Sequence, residues 1–162
     1  MRLVTGSYVG DGVDDRQIAG LGFQPALVLV RSNGADPVIM RTSTMVGDAS
    51  KVLSEVTALQ PDLVQSLDAD GFTVGTDARV NGAGVTYYWT VMKAGSDLAV
   101  GSYVGNGADN RSLSGLGFQP VWVLTFADSK DSLFRPSDLV GDASYKAAGY
   151  TTVANIAPHR QV

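Results

Sequence analysis

Apolar positions along this chain recur in short alternating or continuous runs, separated by stretches rich in Gly, Asp, Ser and Asn. Over residues 86–92, Tyr87, Trp89 and Val91 fall on one face and Thr86, Tyr88, Thr90 and Met92 on the other, which is the period of a strand. Ala26-Leu27-Val28-Leu29-Val30 and Val121-Trp122-Val123-Leu124-Thr125 are nearly continuous apolar runs after a proline, the mark of strands buried on both faces. Pro37-Val38-Ile39-Met40-Arg41 follows a turn over 32–36 and predicts a hairpin. Residues 51–59 alone hint at helical spacing, over a short span. About six strands per unit, joined by polar turns, predict an antiparallel sandwich or small barrel.

The pattern is written twice. Gly6-Ser7-Tyr8-Val9-Gly10 recurs as Gly101-Ser102-Tyr103-Val104-Gly105, and Gly20-Leu21-Gly22-Phe23-Gln24-Pro25 as Gly115-Leu116-Gly117-Phe118-Gln119-Pro120. Asp14 and Arg16 pair with Asp109 and Arg111 at the same offset. After a one-residue deletion, Arg41-Thr42-Ser43 becomes Arg135-Pro136-Ser137, and Val46-Gly47-Asp48-Ala49-Ser50 becomes Val140-Gly141-Asp142-Ala143-Ser144. Blocks this long in one register are an internal repeat. The expectation is an all-β chain of two tandem antiparallel sandwich- or barrel-like units, 1–95 complete and 96–162 truncated. Everything matching residues 68–93 is missing from the second copy. Phe23, Phe118, Trp89 and Trp122 are the expected core aromatics, the two Phe at equivalent buried positions.

Composition sharpens this picture. Fifteen of the sixteen acidic residues are Asp and only Glu55 is Glu, with nineteen Gly and four Lys. Asp, Gly, Ser and Asn favour turns, where their side chains bond nearby backbone, whereas Glu and Lys favour helix surfaces. A net charge of −4 argues against nucleic-acid binding, which needs a basic face. No apolar run approaches membrane-helix length, so membrane insertion is not expected. Residues 1–5 show no apolar leader region. The absence of cysteine excludes disulfides, thiolate metal sites and thiol nucleophiles.

Candidate chemistry is sparse. His159 is the single histidine, without a counterpart in the first copy, and no serine sits in a nucleophile elbow, so no catalytic residues and no enzyme are expected. Gly10-Asp11-Gly12-Val13-Asp14-Asp15-Arg16 and its echo Gly105-Asn106-Gly107-Ala108-Asp109-Asn110-Arg111 have two readings. Closely spaced oxygens from Asp11, Asp14, Asp15 and Asp109 could wrap Ca²⁺. The other reading is a tight turn with Gly at positive φ, Asx side chains capping backbone and Arg16 paired to a carboxylate; it is favoured because two of the three carboxylates become Asn in the second copy. No other cofactor is expected. The loop with Gly47, Asp48 and Ser50 is either a ligand loop or a cap.

The string Gly-Ser-Tyr-x-Gly-(Asp/Asn)-Gly-x-Asp-x-Arg-x-(Ile/Leu)-x-Gly-Leu-Gly-Phe-Gln-Pro resembles a β-rich repeat of bacteriophage virion proteins, tail-fibre and head-associated, and of bacterial surface or secreted proteins. The match extends to Arg41-Thr42-Ser43, Asp70-Gly71-Phe72-Thr73-Val74-Gly75, and Val80-Asn81 leading into Tyr87-Tyr88-Trp89. The resemblance carries no catalytic or binding residues to transfer. It implies a non-enzymatic structural or interaction protein, a virion decoration or fibre component or a subunit of an extracellular assembly. Its partners would be itself, as an oligomer or filament built by strand addition, or other virion or surface proteins. A carbohydrate-binding module using the Asp/Asn loops is the alternative.

Overall fold

The structure is a computed structural model that describes residues 1–147 and 152–154. In chain order it has β1 (Arg2–Val9), β2 (Arg16–Ala19), β3 (Leu27–Ser32), β4 (Ile39–Thr42), β5 (Lys51–Val52), β6 (Val64–Asp68), β7 (Gly71–Val74), the one-turn helix α1 (Ala78–Asn81) and β8 (Thr86–Lys93). The second copy contributes β9 (Trp122–Thr125), β10 (Leu133–Pro136), β11 (Ala143–Lys146) and β12 (Thr152–Ala154). The chain is all-β. It has three antiparallel sheets, none closed, in the orders β1-β8-β3-β4-β5, β2-β7-β6 and β12-β11-β10-β9.

Alternation decides which face of the five-stranded sheet is buried. Register pairs Val28 with Val91, Val30 with Trp89 and Ile39, and Ile39 with Val52, so these side chains share one face. That face packs on Val64, Phe72 and Val74 of the three-stranded sheet in a sandwich-like core, closed at one end by Val80 of α1. Trp89 meets Phe72 edge-on, with ring centroids 6.0 Å apart, and Tyr8 stacks on Tyr87 at 5.3 Å. The Tyr8 hydroxyl donates to the Val80 carbonyl at 2.6 Å, while the Tyr87 hydroxyl donates to the Ala78 carbonyl and accepts from the Gly82 amide. Burial pushes the Tyr8 phenol far above its ordinary value, as does the neighbouring Tyr87.

Gly6 is fixed by this arrangement. A Cβ there would lie 2.3 Å from Trp89 Cζ2, inside a ring already held by Phe72. Phe23 is buried in the same cluster beneath the cations of Arg2 and Lys93.

The second copy departs from expectation. Tyr8 is 9 % exposed but Tyr103 is 54 %, and Leu21 is 6 % exposed but Leu116 is 43 %. Phe118 is half-buried rather than equivalent to Phe23, and Trp122, expected in the core, is 52 % exposed. The pairing explains this. In the first copy β1 pairs only with β8, and β2 only with β7. The described residues hold no counterpart of β7 or β8; residues 99–121 form no strand, and no described sheet faces β9–β12. Of the strands that do form, β9 to β11 are counterparts of β3, β4 and β5, which pair with one another, and β12 adds to β11.

Two further expectations fail. Residues 51–59 are not helical: Lys51 and Val52 form β5, and the chain then runs irregularly to an isolated bridge between Ser50 and Gln60. The first copy has eight strands, because short β2 and β5 lack a readable alternation. The copies meet at Lys51, whose buried ammonium donates to the carbonyls of Thr57 (3.0 Å) and Lys130 (2.9 Å). Burial lowers its pKa, opposed by Asp128, Asp131 and Glu55.

Gly6→Ala is expected to cost about 1–3 kcal/mol by overpacking Trp89. Gly101→Ala, whose Cβ meets nothing within 4 Å, should stay within about 0.5 kcal/mol of the parent. Urea denaturation of the two variants reads the difference; equal losses would mean Trp89 yields freely.

Candidate functional site

The 10–16 loop has a geometry set by its own sequence. Gly12 and Asp15 adopt positive φ (72° and 55°), and the Asp11 Oδ1 accepts the Val13 amide at 2.9 Å in an Asx turn. Asp14 Oδ1 accepts the Asp15 amide at 2.9 Å and Gln65 Nε2 at 2.9 Å. Arg16 donates to the Val9 carbonyl at 2.5 Å, pairs with Asp11 at 3.3 Å and lies over the Tyr8 ring at 5.2 Å. The Val13 amide bond, then Asn81 and Arg16, hold the Asp11 carboxyl below its usual range. The echo repeats the design. Gly107 and Asn110 have φ of 71° and 55°, Asn106 Oδ1 accepts the Ala108 amide at 3.1 Å, and Asp109 accepts the Asn110 amide at 2.9 Å. Arg111 donates to the Val104 carbonyl and lies over Tyr103 at 5.3 Å.

Asp11, Asp14, Asp15 and Asp109 are therefore not arranged around a common point. Asn106 makes the same turn as Asp11, so the turn needs an oxygen acceptor and not a charge. Among the described residues no three His, Cys, Asp or Glu side chains come together as cation ligands.

The first loop is plugged, and no described residue plugs the second. Asn81, at the end of α1 and fully buried, accepts the Asp11 amide (3.1 Å) and donates to the Val13 carbonyl (2.8 Å). Its carbonyl accepts the Gly12 amide at 2.9 Å. Gly10 exchanges backbone bonds with Val85 and Gly84, at 2.7 and 2.9 Å. The counterparts of these groups would lie beyond residue 162. Nothing in the sequence marked Asn81 except its place in the motif Val80-Asn81.

The loops carrying Gly47 and Gly141 are clasped rather than open for a ligand. Arg41 donates to the carbonyls of Gly47 and Ala49, each at 2.5 Å, and to Val64 at 3.2 Å. Arg135 likewise donates to Ala143, Gly141 and Leu139. A depression of about 250 Å³ between β2 and the β6–β7 turn holds Asp68 and Asp70. Asp70 takes the amides of Gly20 and Gly22, and Asp68 the hydroxyls of Ser66 and Thr73. His159 lies outside the described residues.

Among the described residues, the outer edge of β9 is an open sheet edge whose counterpart in the first copy is paired. Its counterpart β3 is hydrogen-bonded on that side to β8, from Leu27 opposite Met92 to Ser32 opposite Tyr87. β9 ends its sheet, with Val121 and Trp122 exposed beside it. Trp122, Leu124, Phe134 and Tyr145 share the face opposite the one that corresponds to the first copy's core, Phe134 stacking on Tyr145 at 5.3 Å. Trp89 is a half-buried strand residue packed against the core.

Asn81→Ala should destabilise the chain by about 1–3 kcal/mol, because it removes the two bonds that the buried Asn81 side chain makes to the Asp11 amide and the Val13 carbonyl. Hydrogen exchange should quicken over 10–16 and not over 105–111; uniform quickening would contradict the plug. Millimolar Ca²⁺ should leave the melting temperature unchanged; a rise reversed by chelator would assign the carboxylates to a metal.

Searches of protein-family models, curated proteins and solved structures find no match to this chain.

Proposed function

We propose that this chain is a non-enzymatic structural module that assembles through its second copy, as a virion decoration or fibre component or a subunit of a cell-surface assembly. The observation that carries the reading is the edge of β9, unpaired among the described residues and flanked by exposed Val121 and Trp122. Rows of unpaired N–H and C=O groups beside apolar side chains recruit other strands, and proteins usually blunt them. No Lys, bulge or proline blunts β9 itself. On this reading the two copies are tandem sandwich-like units, and the open edge of β9 is paired by a further strand.

Two observations support the non-enzymatic part. The depression beside β2 has its carboxylates bonded to backbone amides and hydroxyls, and the Asx loops use their side chains on their own backbone. The same self-satisfaction leaves little in those loops for sugar hydroxyls, so the carbohydrate-binding alternative falls behind. The virion or extracellular setting rests on the resemblance of the repeat motifs.

Light scattering on the chromatographed chain is the test. Self-association through the β9 edge should give a mass above the monomer that grows with concentration, and Val123→Pro, which puts a ring in the edge strand, should restore the monomer. A monomer at every concentration, with slow exchange at the β9 amides, would overturn the reading.

A further inference from the structure

We propose that the β3–β4 turn of the first copy is a self-modifying site, at which Asn33 cyclises onto the Gly34 amide, releases ammonia and is reopened by water as aspartate or isoaspartate.

The chain holds three Asn-Gly pairs, Asn33-Gly34, Asn81-Gly82 and Asn106-Gly107. An Asn side chain cyclises only when its carboxamide is free to turn and the following nitrogen can reach it, and glycine obstructs that approach least. The fold treats the three pairs differently. Asn81 is fully buried, its side-chain oxygen accepting the Asp11 amide and its nitrogen donating to the Val13 carbonyl. The Gly82 amide beside it donates to the Tyr87 hydroxyl at 2.8 Å. Asn106 is exposed, yet its Oδ1 is turned onto the Ala108 amide at 3.1 Å, which holds the carboxamide in the Asx turn. Asn33 is exposed, and among the described residues its side chain makes no hydrogen bond.

The surroundings of the Gly34 amide single this pair out. That amide donates to Ser32 Oγ at 3.1 Å, and the Ser32 hydroxyl donates to Asp36 Oδ2 at 2.7 Å. Ser32 is buried, so water competes little along this path. A hydroxyl whose own proton points at a carboxylate accepts a proton more readily than water does, and both contacts lie within the reach required of a general base. Ser32 touches the reacting N–H, and Asp36 is a positioning residue that acts through it. The turn itself does not demand glycine at 34. Its φ is not positive, and an added Cβ would meet only Ser32 Oγ, at 3.4 Å.

The step balances without an oxidant or reductant. The Gly34 nitrogen bonds to Asn33 Cγ while its proton passes to Ser32 and the Ser32 proton to Asp36. The tetrahedral carbon then expels its amide nitrogen, which takes the proton back and leaves as ammonia. Water opens the resulting succinimide at either carbonyl. The aspartyl product gives this turn a side chain that the second copy already has. There Ala127, Asp128 and Ser129 replace Ser32, Asn33 and Gly34, and the Asp128 carboxylate accepts the Leu59 amide at 2.8 Å. The isoaspartyl product adds a methylene to the backbone beside the Asn33 amide, which donates to the Thr86 carbonyl at 2.9 Å where β3 leaves β8.

The test incubates the 162-residue chain at neutral pH and maps its peptides by mass spectrometry for aspartyl and isoaspartyl products at 33, 81 and 106. Asn33 should convert about tenfold faster or more than Asn106 and Asn81 in the folded chain, and unfolding in urea should bring the three rates together. Ser32→Ala and Asp36→Asn should each slow Asn33 about tenfold or more, while Asp36→Glu retains most of the rate. Gly34→Ala should suppress conversion at Asn33 with the melting temperature unchanged. Should Ser32→Ala lower the melting temperature, the contrast between Asp36→Asn and Asp36→Glu decides. Conversion at Asn106 as fast as at Asn33, faster conversion of Asn33 in urea than in the folded chain, or an undiminished rate in Asp36→Asn would each overturn the inference.

Discussion

The architecture depends on the double-sided pairing of β8. It is the one strand whose removal would leave β1 with no partner and β3 with one edge bare. Its inward residues also join the two sheets: Tyr87 stacks on Tyr8 and anchors α1, Trp89 crosses to Phe72, and Val91 packs beside Val28. Backbone bonding along the sheet and apolar packing between sheets therefore converge on one segment of eight residues. Backbone groups left without partners are costly away from water, so a strand with two bonded edges contributes more order than an edge strand.

The second copy displays what remains when that segment is absent. Loops closed by contacts a few residues apart survive intact, as in the Asx turn at Asn106, Arg111 on Val104 and Arg135 around Gly141. Strands whose partners lie within the copy also survive. Residues 101–104, identical to 6–9, have the composition of a strand and form none. A strand is a relation between segments, and β-propensity expresses itself only on a surface that offers pairing and burial.

This division also explains what was legible in the sequence. The repeat, the all-β character, the β3–β4 hairpin and the inward face of β8 followed from alternation and turn residues alone. Phe118 and Trp122 misled because their motifs match the first copy while their surroundings do not; burial belongs to neighbours, and the β8 residues Lys93 and Met92 that lie against Phe23 and Leu27 have no described equivalent beside Phe118 and Trp122. Asn81, Arg41 and Lys51 were invisible for a related reason. Each acts on backbone carbonyls or amides of distant loops, and backbone groups leave no mark in a sequence. The Asp-rich loop was ambiguous because cation binding and turn capping ask for the same oxygens.

The repetition of Gly-Ser-Tyr-Val has a kinetic consequence. In the folded chain β8 takes β1 as its partner, joining residues 2 and 93 across almost the whole first copy. Residues 101–104 carry the same four side chains and follow β8 after a short link, where Gly95 and Leu98 already form a bridge. Closing a short loop costs less entropy than closing a long one, and pairings between distant segments form slowly. Residues 101–104 thus offer β8 the same four side chains as β1 across a much shorter loop, and the native pairing with β1 is the one that costs more chain entropy to close.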